Sequence, residues 1–120
     1  MTAMEQPLTY RAQLRVFKGE KCFGRGIAEL LTRVQRTGSL RAAAAEMDLA
    51  YSKAWRVVKT SEDVLGFKLL RSQTGGKHGG GALLTPEAQD LLNRYCRFVE
   101  EGERALDGIF AQCFEGMITP

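Results

Sequence analysis

Five polar or basic residues, Ser52, Lys53, Arg56, Lys59 and Thr60, lie within nine positions of one another. Counted at about 100° per residue from Trp55, they fall between about 40° and 160°, one side of a helix. Arginine and lysine placed in this way can bond guanine O6 and N7 or neutralise phosphate, and serine and threonine can meet a base or a backbone. On charge alone an ordinary solvated helix face is the favoured account. A second stretch, TGGKHGGGALL at residues 74–84, has five glycines, Gly75, Gly76, Gly79, Gly80 and Gly81, on either side of Lys77 and the chain's only histidine, His78. It could cradle a phosphate, hold a metal, link two elements or turn a hairpin. A phosphate-cradling loop needs GxxxxGK followed by Ser or Thr and then a helix. Here Gly76-Lys77 is followed by His78, and the next piece, ALLT, has the composition of a strand.

Other chemistries find little support. His78 has no second histidine, and Cys22, Cys96 and Cys113 form neither a CxxC nor a CxxH pair, so no metal site is expected. Glu62 and Asp63 are adjacent carboxylates, but neighbours on a helix point about 100° apart. The expectation is a chain with no catalytic residues, no cofactor and no metal.

Composition bounds the frame that must position these residues. The chain has 120 residues, 44% hydrophobic and 26% charged, which fits one soluble globular domain over residues 1–120. No run of about 18 apolar residues occurs, and MTAMEQPLTY lacks the basic start and apolar stretch of a secretory signal, so no membrane is expected and the cytoplasm is the expected location. The formal charge of +3 is modest. Its distribution is uneven, with nine basic residues between Arg33 and Lys77 against four acidic ones.

Periodicity predicts the elements. Residues 8–18 open with alternating apolar and polar types, LTYRAQLRV, which predicts a leading strand. Ile27, Leu30, Leu31 and Val34 then recur as one helical stripe ending at Gly38. Ser39 stands as an N-cap before the alanine-rich residues 40–47. The small side chains of Ala42, Ala43, Ala44 and Ala45 permit the close, steep crossing of a helix-turn-helix. A third helix over residues 51–65 ends at Gly66, with Tyr51, Ala54, Trp55, Val58 and Leu65 expected on its core side. The three-helix core thus covers residues 24–65, with the helix-turn-helix at 39–65. FKLLRS and ALLT flank the glycine stretch as a hairpin over residues 66–85. Thr85-Pro86 starts a long helix over residues 86–115, where Gly102 and Gly108 allow a kink or a close contact. This order is mainly α with a small β component: a winged helix-turn-helix with a leading strand, a β-hairpin wing and a long C-terminal helix. That helix keeps apolar spacing further than the small core can cover, so a partner is expected on Leu91, Leu92, Tyr95, Val99, Leu106, Ile109 and Phe110.

GSLRAAAAEMDLAYSKAWRVV at residues 38–58 and GFKLLRSQTGGKHGGGALLTPEAQDLL at residues 66–92 resemble the N-terminal DNA-binding domain of ModE-type molybdate-responsive transcriptional regulators. The resemblance spans roughly residues 24–95. YSKAW and the paired TGG and GGGAL elements carry it, whereas GS-x-x-x-AA alone fits LysR-type regulators equally well. It implies a dimer on a palindromic operator, with helix-turn-helices in successive major grooves, wings alongside, and the long helix in the dimer interface. Family members that sense molybdate directly carry C-terminal oxyanion-binding domains, and with the chain ending at Pro120 a regulator without them is expected, its effector unspecified.

Within that frame Ser52, Lys53 and Arg56 are expected at base edges, because N-terminal residues of a recognition helix penetrate deepest. Lys59 and Thr60 are expected at phosphates. Ser39 and Arg41 stand where the second helix crosses the backbone, and Lys77, with His78 when protonated, is expected at a phosphate or the minor groove. The expected function is a sequence-specific, double-stranded-DNA-binding transcriptional regulator, a homodimer linked to molybdate or molybdenum-cofactor genes. The alternative is a winged helix serving as a protein-interaction module that does not read DNA.

Overall fold

The structure is a computed structural model that describes residues 5–73 and 81–118. Its first regular element is short. β1 (Val16–Lys18) turns at Gly19, whose φ of 77° suits glycine, and pairs antiparallel with β2 (Glu20–Phe23). This corrects the leading strand expected over residues 8–18, since only its last three residues join a ladder and residues 8–15 have no strand partner. The alternation there has another cause. Tyr10, Leu14 and Val16 are the half-buried positions, and the first two face the last helix. The Tyr10 ring packs 4.8 Å from that of Phe110, and Leu14 O accepts from Tyr95 Oη at 2.7 Å.

Three helices follow: α1 (Arg25–Thr37), α2 (Leu40–Glu46) and α3 (Tyr51–Leu65). Their ends are set locally. Gly38 and Gly66 take left-handed φ values of 74° and 86° and donate back to Val34 O and Glu62 O. Ser39 Oγ accepts from Ala42 N at 3.1 Å, the predicted N-cap. The turn between α2 and α3 bends through Asp48 at φ 54°, a left-handed conformation that aspartate tolerates. Of the four alanines, Ala43 and Ala44 are buried at the crossing while Ala42 and Ala45 face out. The core runs through Phe23, Leu30, Leu31, Val34 and Leu69, each contributing roughly 1.5–3 kcal/mol by burial. Phe23 meets Tyr95 edge to face at 5.1 Å.

The wing is β3 (Leu70–Gln73) paired with β4 (Gly81–Leu84), from Leu70 opposite Leu84 to Gln73 opposite Gly81. Ala82 N donates to Gly38 O at 2.9 Å, docking the wing on the turn before α2. Glu62 holds the wing's root, its carboxylate accepting from Leu69 N at 2.7 Å and Leu70 N at 3.4 Å. Thr85 Oγ1 donates to Lys68 O and accepts from Ala88 N, capping α4 (Pro86–Cys113). α4 is unbroken over 28 residues. Gly102 marks a close approach, since a Cβ there would lie 2.9 Å from Leu14 Cδ1. The helix projects well past the core, which raises the radius of gyration to 18.4 Å against about 14 Å for a compact chain of this length.

The tight packing corrects two of the residues expected at a partner surface. Leu92 and Tyr95 are buried in this chain's own core beside Phe23 and are not available to another chain. Leu91, Val99, Leu106 and Phe110 are half-buried, and Ile109 is 54% exposed.

Candidate nucleic-acid interface

The rotation of α3 about its axis decides which side chains are presented. Ala54, Val58 and Ser61 are its buried residues; on the count from Trp55 they centre near about 265°. Ser61 sits there because its hydroxyl donates to Cys22 O of β2, which satisfies the only polar group it buries. The opposite face is therefore centred near about 85°, at Ser52 and Arg56. Ser52, Lys53, Arg56 and Thr60 are exposed, and Lys59 is half-exposed. Tyr51 and Trp55 depart from expectation. Sequence spacing placed both in the core, yet Tyr51 is 40% and Trp55 51% exposed. The burial direction lies nearer Ser61 than the apolar spacing implied, because β2 packs against that flank and leaves them on the edge toward the wing.

The predicted residues fall on two flanks. Ser39, Arg41 and Lys59 line a cleft of about 980 Å³ between α3 and the wing, together with Tyr51, Trp55 and Arg71. Lys53, Arg56 and Thr60 border a shallower hollow between α3 and β2. Ser52 stands on the crest between them. Lys77 and His78 lie outside the described residues.

Electrostatics separates committed from available charges. Arg33 bridges Glu29 at 2.8 Å and Glu46 at 2.9 Å, and Arg36 also pairs with Glu46, so these two arginines tie α1 to α2. Arg36, joined by Arg33, holds the Glu46 carboxyl below its ordinary range. Lys59 pairs with Asp63 at 3.4 Å, and Lys68 with Glu62 at 3.7 Å. Arg41 lies 4.2 Å over the Tyr51 ring, a cation–π contact that fixes its guanidinium at the start of α2. Lys53, Arg56 and Arg71 carry no ion pair among the described residues, so their charge faces solvent uncompensated. Ser39 is occupied as the cap of α2.

Tyr51, Trp55 and Arg71 line the cleft although sequence reasoning did not place them there. A helical count anchored on the small residues Ala54 and Ser61 would have moved the two rings to the edge. No sequence signal places Arg71, which arrives through the strand register. No group of three or more histidine, cysteine or acidic residues could hold a metal among the described residues. No helix among them is long and apolar enough to cross a membrane.

Comparison with known proteins matches this geometry. The pattern of the family described as "Bacterial regulatory helix-turn-helix protein, lysR family" covers residues 28–89, from α1 through the wing into α4. The molybdenum-pterin-binding protein MopB of Rhodobacter capsulatus is 42% identical over 66 residues, 55% of this chain and 24% of that protein. The molybdenum transport protein ModE of Herbaspirillum seropedicae is 38% identical over 63 residues, 52% of this chain and 23% of that protein. The transcriptional regulator ModE of Yersinia pestis is 33% identical over 100 residues, 83% of this chain and 36% of that protein. The chain thus spans between about a quarter and a third of the length of these relatives. Among solved structures, the CbnR_DBD–DNA complex aligns with a TM-score of 0.58 at 24% identity, over 73% of this chain and 95% of that one. That likeness establishes the winged-helix fold. With the family pattern running over more than half of its length and the fold in agreement, the chain belongs to the lysR family of bacterial regulatory helix-turn-helix proteins.

Proposed function

We propose that this chain is a sequence-specific regulator of transcription that binds double-stranded DNA as a homodimer, has no catalytic activity, and works in the cytoplasm. One observation carries the reading: the outward face of α3 presents Ser52 and Arg56 with Lys53 beside them, and neither cation is neutralised within the described residues. A helix of about 10–12 Å diameter fits the major groove. Its inner face is held by α1, α2 and β2, so the outer face arrives in fixed orientation. In this reading Ser52, Lys53 and Arg56 meet base edges, while Arg41, Lys59 and Thr60 meet phosphates. Ser39 acts by capping the helix whose N-terminal N–H groups approach the backbone. Lys77, and His78 when protonated, would add contacts to a phosphate or the minor groove.

The names of the relatives support regulation of genes for molybdate uptake or molybdenum-cofactor synthesis. Binding to duplex DNA across a salt series tests the DNA reading. Each neutralised phosphate steepens the fall of log affinity with log salt by about 0.9, so Arg41, Lys59 and Lys77, the three cations assigned to phosphates on each subunit, give a slope of roughly −5 for the dimer. A weak response that does not vary with salt refutes it. Recovery of bound fragments from the source genome then tests the molybdenum link, which fails if the fragments lie beside unrelated genes.

A further inference from the structure

Trp55 is the chain's only tryptophan, and half of its surface is in water. Alone, such exposure is ordinary, whereas a contiguous apolar patch rimmed by polar residues marks an interaction site. The neighbourhood of Trp55 supplies such a patch. Tyr51 stands one turn earlier on the same flank, about 40° away around the helix. Both rings line the cleft between α3 and the wing, and Arg41, Lys59 and Arg71 surround them. Glu62, the carboxylate in the same lining, is already engaged by Leu69 N, Leu70 N and Lys68, so it does little to cancel these charges. The cleft is therefore an apolar aromatic shelf inside a cationic rim.

Resting on the DNA-binding reading above, we propose that Tyr51 and Trp55 are specificity-determining residues that read thymine through its C5 methyl group, while Arg41 holds the neighbouring phosphate. The cationic rim selects a polyanion over a neutral partner. Within the major groove, the thymine methyl is the only apolar group that base pairs display. Indole offers a single N–H donor and no acceptor, so its broad faces discriminate by apolar contact and not by hydrogen bonding. Tyr51 is the first residue of α3, the end that penetrates deepest. The cation–π contact holds Arg41 against the ring and leaves its N–H edge open to a phosphate oxygen. Thymine reading and phosphate clamping thus use one preassembled group of side chains.

The test uses the full chain and a duplex that it selects from a randomised pool. Each thymine is replaced in turn by deoxyuridine, which lacks only the methyl. One or two replacements per half-site are expected to weaken binding about fourfold, the value of one buried methyl. In Trp55→Ala the same replacements should make no difference, while Trp55→Phe, which keeps an apolar ring, should retain the sensitivity. Tryptophan fluorescence gives an independent readout in the unmodified chain, where acrylamide quenching of this single residue should fall when the duplex binds. If Trp55→Ala does not fold, the Trp55→Phe and quenching results decide. The proposal is overturned if deoxyuridine costs nothing in the unmodified chain, if it costs as much in Trp55→Ala, or if quenching is unchanged by bound duplex. Failure to select any duplex would instead remove the DNA-binding reading itself.

Discussion

α3 and the outer half of α4 both leave a helix face bare, but they leave different chemistry in water. α3 buries Ala54, Val58 and Ser61 and exposes Ser52, Lys53, Arg56 and Thr60. α4 buries Ala88, Leu92 and Tyr95 in its first half and nothing fully thereafter. Beyond Tyr95, Phe98 is 49% and Ile109 54% exposed, and Phe114 and Met117 follow just past the helix. Other sides of α4 are dressed with i,i+4 pairs, Asp90–Arg94, Arg97–Glu101 and Glu100–Arg104. A cationic polar face is well solvated and waits for a polyanion without penalty. An apolar strip costs about 25 cal/mol for each Å² left in water, so covering it is favourable at once. Exposure alone therefore names no partner, and the chemistry of the exposed groups says which kind each face would fit.

The largest effect expected from this contrast is on self-association. Phe98, Ala105 and Ile109 lie within about 40° of one line along α4, and of the residues expected at a partner surface only Ile109 is on this exposed line, where we place the contact of the proposed homodimer. Ile109→Asp places a carboxylate in that contact and should weaken the dimer by more than about 100-fold, or roughly 3 kcal/mol. Sedimentation equilibrium reads it directly. An unchanged monomer–dimer equilibrium would show that the strip is covered by something other than a second copy.

Within α3 the contrast can be repeated between two residues only two positions apart. Val58→Ala opens a cavity in the core, where Val58 is 5% exposed, and should lower stability by about 1–3 kcal/mol with little change in base preference. Arg56→Ala should do the reverse, costing about 1–3 kcal/mol of binding and relaxing base preference, with stability altered by less than about 0.5 kcal/mol. Thermal unfolding and competition among duplex sequences separate the two. Similar losses of stability from both would mean that the assigned rotation of α3 is wrong. Lys59→Ala comes next in size: it should weaken all duplexes alike and reduce the salt slope by about 0.9 per subunit. Its existing pair with Asp63 limits what it has to give.

These tests also mark where sequence reasoning had purchase. Gly38, Ser39, Gly66 and the Thr85-Pro86 pair act within one turn of themselves, so the helix ends could be read from local chemistry alone. The polar face of α3 was legible for the same reason, since Ser52, Arg56 and Thr60 need only helical geometry to come together. What failed depended on distant partners. The alternation in residues 8–15 announced a buried face, but the surface covering it is a helix about 90 positions away, not a neighbouring strand. Trp55 was assigned to the core by its helical spacing, whereas the small Ser61 is buried because Cys22 O accepts its hydroxyl. Leu92 and Tyr95 fitted the apolar stripe of α4, and only the position of Phe23 reveals that this chain uses them itself.

The N-terminal segment draws the boundary between the covered and bare sides of outer α4, and pH provides a fine test of it. Tyr10 packs on Phe110 and donates its hydroxyl to Asp107 Oδ1 at 2.5 Å. That hydrogen bond, aided by desolvation and by the charges of Asp107 and Glu103, pushes the phenol up from 10.0 to about 12. Between those values the folded chain retains a proton that the unfolded chain has lost, so unfolding becomes easier as pH rises. The contribution is complete below about pH 10 and fades through about pH 12. Tyr10→Phe keeps the ring contact and removes the titrating group, so the difference in urea midpoint between the two proteins should shrink as pH is raised through this window. Self-association of Tyr10→Phe at neutral pH should match that of the unmodified chain, because Tyr10 covers the Asp107–Phe110 side and leaves the Phe98–Ile109 line bare. Stronger association in Tyr10→Phe would instead show that the N-terminal segment and the partner compete for the same side of α4.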